Sequence, residues 1–257
     1  MKIEKFEVID KALFWPEKKT LIIGDLHLGY ENYLNEHGWT FPKTQLNRTI
    51  SNLNKILQKI VKKHGKLNEI ILLGDVKHFF SGILRDEFKD VDKIIALLDK
   101  NLKKGKKIII TKGNHDTILL PIIKKYANIE LKDSYILKDT LFFHGNREGF
   151  KKIGLSLYDK KIKIIVMAHY HPAISLSEDV KTEKYKCFLY GKAKEFGNRK
   201  LILIPSFFPL IEGSDILTEN RRLKENLDIS NFEVFVLDGS EFSRVYDFGK
   251  AKNLVCE

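Results

Sequence analysis

Lys107-Ile-Ile-Ile-Thr-Lys-Gly113-Asn114-His115-Asp116 is the stretch on which the fold turns. An apolar run ended by glycine reads as a buried strand that stops abruptly. Directly after the stop come an amide, an imidazole and a carboxylate, at the place where open α/β sheets hold their ligands. The same ending recurs in Thr20-Leu-Ile-Ile-Gly24-Asp25-Leu-His27, Ile70-Ile-Leu-Leu-Gly74-Asp75, Leu141-Phe-Phe-His144-Gly145 and Lys163-Ile-Ile-Val-Met-Ala168-His169-Tyr-His171. If these five strands lie parallel in one sheet, their carboxyl ends line one rim. Asp25, His27, Asp75, Asn114, His144, His169 and His171 then converge there.

The segments between these runs read as covering elements. Residues 2–8 alternate apolar and polar, as an edge strand does, and 29–39 reads as a polar-aromatic loop. Leu46, Ile50, Leu53, Leu57, Ile60 and Val61 follow helical spacing to a stop at His64-Gly65, and a second helical pattern runs through Phe88, Val91, Ile94, Ile95 and Leu98. The basic run Lys103-Lys104-Gly105-Lys106-Lys107 reads as the C-terminus of that helix, where cations suit the dipole. Thr117 to Ala127 reads as a short helix interrupted by Pro121, and a segment around 150–160 bridges to the strand at 162–168. Strands alternating with helices imply a mostly parallel sheet with helices over it. Past His171 the runs become short and turn-separated, ending in a hairpin at Asp238-Gly239-Ser240, so residues 173–257 are expected to complete a second, stacked sheet.

At 257 residues the chain is long enough for one sizeable core, and a single domain over 1–257 is expected. Charged residues at 31% and hydrophobic ones at 43% exclude a disordered or fibrous chain. The formal net charge of +11 favours polyanions such as nucleic acid, or marks a lysine-rich solvated surface. Two cysteines, Cys187 and Cys256, make no disulfide framework. With no apolar leader and no run of about 18 apolar residues, a cytoplasmic protein without membrane contact is expected. Oligomeric state is not legible.

Two carboxylates, four imidazoles and an amide on one rim need cations, because Asp25 and Asp75 would otherwise repel and raise each other's pKa. A nitrogen and oxygen set without thiolate suits manganese, iron, zinc, cobalt or nickel. A bridging carboxylate can hold two such ions roughly 3.5–4 Å apart. With four positive charges against two carboxylates and a hydroxide, the centre stays cationic and attracts a phosphate ester.

The ordered series Gly-Asp-x-His at 24–27, Gly-Asp-x-x-His at 74–78, Gly-Asn-His-Asp at 113–116, His-Gly at 144–145 and His-x-His at 169–171 resembles the calcineurin-like metallophosphoesterase superfamily. The resemblance covers residues 20–172, and within the superfamily the second and third motifs look most like SbcD-type nucleases and their small archaeal relatives. It implies an α/β fold of two stacked mixed β-sheets flanked by helices, a four-layer α-β-β-α sandwich. It also implies two divalent ions, manganese first, one held by Asp25, His27, Asp75 and His171 and the other by Asp75, Asn114, His144 and His169. By the same resemblance His115 protonates the leaving oxygen, Asp116 fixes its tautomer from behind, and His78 faces the substrate. Ala168 stands where many members have glycine, and its small side chain still permits close backbone approach. Arg147, just past His144-Gly145, is a candidate phosphate clamp because its planar fork matches two oxygens.

The expected activity is a phosphodiesterase acting on nucleic acid or a nucleotide. Its rival within the same chemistry is a phosphomonoesterase. From another class comes a metal-binding scaffold or nucleic-acid-binding module without catalysis.

Overall fold

The computed structural model describes residues 1–40, 42–80, 85–154, 159–178, 181–218, 223, 227–240 and 242–254. Two mixed sheets lie face to face. The first runs in the order β1 (Lys2–Ile3), β2 (Phe6–Ile9), β3 (Ala12–Trp15), β4 (Thr20–Ile23), β5 (Leu67–Leu72), β6 (Leu102–Thr111) and β7 (Ile129–Lys132). Its first four strands form an antiparallel meander, and β4 to β7 are parallel. The parallel half needs crossovers, which α1 (Tyr30–Glu36), α2 (Gln45–His64), α3 (Arg85–Lys100) and α4 (Leu120–Ile123) supply.

The second sheet contains β8 (Ser134–Leu137), β9 (Thr140–Phe143), β10 (Ile164–Met167), β11 (Pro172–Glu178), β12 (Lys181–Ala193), β13 (Arg199–Leu203) and β14 (Ser214–Asp215). The hairpin of β15 (Glu233–Leu237) and β16 (Val245–Lys250) pairs onto the long β12. At its centre β9, β10 and β13 are parallel, so β9 and β10 end on the same side.

Alternation along each strand sorts the apolar residues into layers. Leu21, Ile23, Ile70, Leu72, Ile108 and Ile110 face α2 and α3, while Ile22, Ile71, Leu73 and Ile109 face the second sheet. Across that gap Phe142, Ile164, Val166, Phe188 and Ile202 meet them. On the far side Leu141, Phe143, Ile165, Met167 and Leu203 pack under the short helix α5 (Arg147–Lys152) and the segments carrying Phe196, Ile216 and Ile229. The outer layer is therefore thinner over the second sheet than over the first. Among the described residues no helix is long and apolar enough to cross a membrane.

Several expectations need correction. The five strands with polar endings divide three to two between the sheets instead of lying in one. The first strand is broken at Glu4-Lys5, where the chain turns back, and β3 was not foreseen at all. Residues 30–36 are helical, not loop. The lysine run 103–107 belongs to β6, where residues 103–106 bulge out, with exposed side chains, between the Leu67–Leu102 and Glu69–Lys107 pairings. Of the segment bridging 150–160, positions 155–158 lie outside the described residues, as does Cys256.

Candidate metal centre

The carboxyl ends of β4, β5 and β6 and those of β9 and β10 meet at one edge of the sandwich. Past their ends the loops keep bonding to one another. Asp25 N donates to Gly74 O at 3.2 Å, His27 N to Asp75 O at 2.9 Å and Leu28 N to Val76 O at 3.0 Å. Across the two sheets, His169 N donates to the Asp25 carboxylate at 3.0 Å.

Holding seven side chains on such tight turns costs backbone strain. Asp25, His27, Asp75, His169 and His171 all have positive φ, between 45° and 72°. Left-handed non-glycine residues cost on the order of 1–3 kcal/mol each and persist where the surroundings over-determine them. Glycine relieves crowding at three points. A Cβ on Gly74 would lie 2.5 Å from His144 Nδ1, and one on Gly113 would lie 2.2 Å from an Asp75 oxygen. At Gly24 a Cβ would come within 2.7 Å of the Ala168 Cβ, so glycine there is what lets alanine stand before His169.

All seven side chains come together as two adjoining groups. Asp25, His27 and His171 form the first and Asp75, His144 and His169 the second, each with its ligand atoms within 4.8 Å of one another, and a third set of the same closeness, His27, His78 and His115, overlaps the first at His27. In the first, His171 Nε2 is 3.5 Å from Asp25 Oδ2 and 3.3 Å from His27 Nε2. In the second, His144 Nε2 is 3.2 Å from Asp75 Oδ2, 3.2 Å from Asn114 Oδ1 and 3.1 Å from His169 Nδ1. Asp75 Oδ2 also lies 3.8 Å from His27 Nε2, which places this carboxylate between the groups.

Burial would raise both carboxylates, yet His171 and His144 hold Asp25 below its ordinary value, and His144, His27 and His115 hold Asp75 below its own. The expected mutual elevation is thus overridden by imidazoles. Burial pushes His27 down to about 3 and His169 to about 4, so both present a lone pair at neutral pH. Burial also acts on His144, but Asp75 and Asp25 outweigh it and push it up to about 9. Asp25 Oδ1 is buried with no hydrogen-bond partner among the described residues. A buried carboxylate oxygen left unmatched is costly unless something meets it. Together with the mixed nitrogen and oxygen set, that orphan fits a divalent cation.

His115 and His78 sit against this centre. The His78 ring stacks on His115 at 5.0 Å, and its Nδ1 lies 3.3 Å from His27 Nδ1. His115 N donates to Asp75 Oδ1 at 2.9 Å, while His115 Nδ1 faces the carbonyl oxygen of His78. The orienting group for this imidazole is therefore a backbone carbonyl and not Asp116. Asp116 instead accepts from Gly113 N and Val76 N, both at 3.0 Å, and clamps the two motif loops together; burial pushes it up to about 6. Arg147 opens α5 as an exposed residue, and no hydrogen bond or ion pair joins it to the cluster among the described residues.

Sequence reading missed the support behind His78. The buried Glu87 accepts from His78 N at 2.9 Å and Phe79 N at 2.8 Å, and Gln45 donates to the His27 carbonyl at 2.6 Å. A signal existed: Glu87 lies four residues before Val91 on the apolar face of α3, where a charge is out of place.

A search of curated proteins found no sequence match. Among solved structures, nuclease MPE of Pseudomonas putida is 18% identical, with 93% of this chain and 92% of that chain covered and a TM-score of 0.57. Vacuolar Protein Sorting 29 of Cryptosporidium parvum is 14% identical, covering 90% and 97%, with a TM-score of 0.40. A structure described as a novel archaeal phosphodiesterase is 12% identical, covering 89% and 99%, with a TM-score of 0.38. The first supports the sandwich fold alone, and the other two carry no weight at those scores. The model of the calcineurin-like phosphoesterase family matches residues 18–201, which contain every motif described above, and the chain belongs to that family.

Proposed function

We propose that the chain is a two-metal phosphoesterase that hydrolyses phosphodiesters of nucleic acids or nucleotides. The observation that supports this most is the pair of adjoining ligand groups, with Asp75 of one group 3.8 Å from His27 of the other and the His115 imidazole held beside them. Asp25, His27, Asp75 and His171 would hold one ion, and Asp75, Asn114, His144 and His169 the other. Manganese is the first choice, with iron, zinc, nickel or cobalt as alternatives from the same ligand chemistry. When bound, such a pair lowers the pKa of water from about 15.7 towards 7 and neutralises charge on the attacked phosphoryl group.

The chain's own residues do the rest. His115 donates a hydrogen bond from Nδ1 to the His78 carbonyl, keeping that proton, which leaves Nε2 to carry the proton that passes to the departing oxygen. His78, stacked on His115, keeps that ring from turning and faces the substrate side. Asp116, through Gly113 and Val76, keeps the loop bearing Asn114 and His115 at a fixed distance from the loop bearing Asp75.

Charge favours a diester. Among the described residues no lysine or arginine forms an ion pair with Asp25 or Asp75; the groups paired with them are imidazoles, and of these burial keeps His27 neutral. A diester, with one negative charge, asks less of that set than a dianionic monoester. Turnover of bis(p-nitrophenyl) phosphate against p-nitrophenyl phosphate, across metals and with metal content measured on the same sample, tests this. Marked monoester preference would overturn the diester assignment. Metal-loaded protein inert to every phosphate ester would revive the scaffold reading.

A further inference from the structure

A cavity of ≈ 640 Å³ opens beside the metal centre, between α2, the start of β12 and the turn after β15. Phe208 lines it and belongs to both sites. Its ring lies 5.7 Å from the His27 ring, and its backbone N donates to Asp25 O at 3.0 Å. Lys186 fixes that wall, donating from Nζ to the carbonyl and hydroxyl of Ser206, each at 2.9 Å, and to the Phe208 carbonyl. The cavity therefore begins one aromatic ring away from the ligand cluster.

Its lining is rich in donors. Asn47, Arg48, Ser51 and Asn52 line it from one side of α2, spaced as neighbours on a helical face. Lys11, Arg48, Lys184 and Lys186 line it against a single carboxylate, Glu212. The Lys11 ammonium is met by Asp10 at 3.0 Å, and Lys186, which burial pushes down to about 7, is held by the carbonyls above. Arg48 is exposed and forms no ion pair among the described residues, while Lys184 has a partner of its own. Arginine, lysine, amide and hydroxyl donors are the groups that contact phosphate backbone without reading bases.

Size and position choose the ligand. Ligand pockets of about 300–1,000 Å³ enclose molecules of drug size, enough for one or two nucleotides and too small for a paired duplex. The half-buried Tyr185 ring on one wall offers a face on which a base can stack. The net charge of +11 adds long-range attraction for a polyanion. We infer that this cavity receives the single-stranded nucleic acid flanking the phosphodiester to be cut, with Arg48 and Lys184 on its backbone. The inference rests on the proposed function for the word "cut" and on the cavity for the word "strand".

The test measures binding of a fluorescent oligothymidylate to the full chain by anisotropy over a range of salt, with a chelator present to stop cleavage. Wild type, Arg48→Ala, Lys184→Ala and the double variant are compared after their melting temperatures confirm folding. Each single change is expected to weaken binding about tenfold, in line with lost hydrogen bonds to a charged group. The slope of log affinity against log salt should shrink by about 0.7 for each lost contact, and by about 1.4 in the double variant. An unchanged slope and affinity in both single variants overturns the inference. So does thymidine monophosphate competing as well as the oligonucleotide, which would mark a nucleotide-sized ligand. Wild-type turnover of bis(p-nitrophenyl) phosphate reports the proposed function separately: its absence with strand binding intact sinks the enzyme assignment and leaves the cavity a strand-binding site.

Discussion

Gly113→Ala is the sharpest probe of how closely the motif loops must approach. Gly113 is not among the left-handed glycines, so alanine there meets a steric conflict and no dihedral one. The new Cβ would lie 2.2 Å from Asp75 Oδ1 and 2.3 Å from Asp75 N. That is more than an ångström inside the roughly 3.5–4 Å optimum of carbon contacts. Either Asp75 swings away or the 113–116 turn retreats, and both break the 2.9 Å bond from His115 N to Asp75. Overpacking of this kind costs about 1–3 kcal/mol. For a chain of this size that corresponds to a melting temperature lower by about 2–4 °C per kcal/mol. A displacement of about 1 Å at a reacting centre costs about 100-fold in rate. The assay pairs kcat/KM for bis(p-nitrophenyl) phosphate with metal content and calorimetry. Gly154→Ala is the control, because its Cβ would meet nothing within 4 Å among the described residues. If Gly113→Ala kept wild-type turnover, metal content and melting temperature, close loop approach would not be what sets the site.

His115→Ala is expected to retain the wild-type metal content while losing about 100- to 10,000-fold in turnover, the usual worth of a positioned proton donor; release of the metals would show that His115 is a ligand instead. Asp75→Asn keeps the shape and removes the charge shared by the two groups, so metal content should drop for both ions, and loss of one ion alone would contradict the sharing. Metal uptake should strengthen with rising pH up to about 9, because Asp75 and Asp25 keep a proton on His144 below that value and an incoming cation must displace it. Calorimetric titrations in buffers of different ionisation enthalpy read that proton release directly, and uptake independent of pH between 6.5 and 9 would contradict it. Chelation should lower the melting temperature by the free energy of ligand linkage; an unchanged transition would mean that no cation was held.

Much of this site was legible because its chemistry is local. Each polar residue follows an apolar run within a few positions, and the period of the run identifies the strand without tertiary information. Partner choice between strands is not local: Leu141-Phe-Phe and Thr20-Leu-Ile-Ile look alike as sequence, yet hydrogen bonding puts β9 and β4 in different sheets. The lysines of 103–107 hid a strand because exposed charge masks the period where the strand bulges away from its neighbour. Ala12-Leu-Phe-Trp15 is buried at every position, so it shows no alternation to read. The direction of the Asp116 carboxylate depends on two amides, one of them 40 residues away in sequence, and no spacing rule could have supplied it.

Each ligand group draws on both sheets: Asp25 and His27 reach across to His171, and Asp75 and Asn114 reach across to His144 and His169. A cation seated in either group is therefore a rivet between the two halves of the sandwich as well as a reagent. Wedging the layers apart, by pressure or by an oversized residue in the seam between them, would pull ligands from opposite sides of the same ion, so catalytic competence and the cohesion of the layers should fail together.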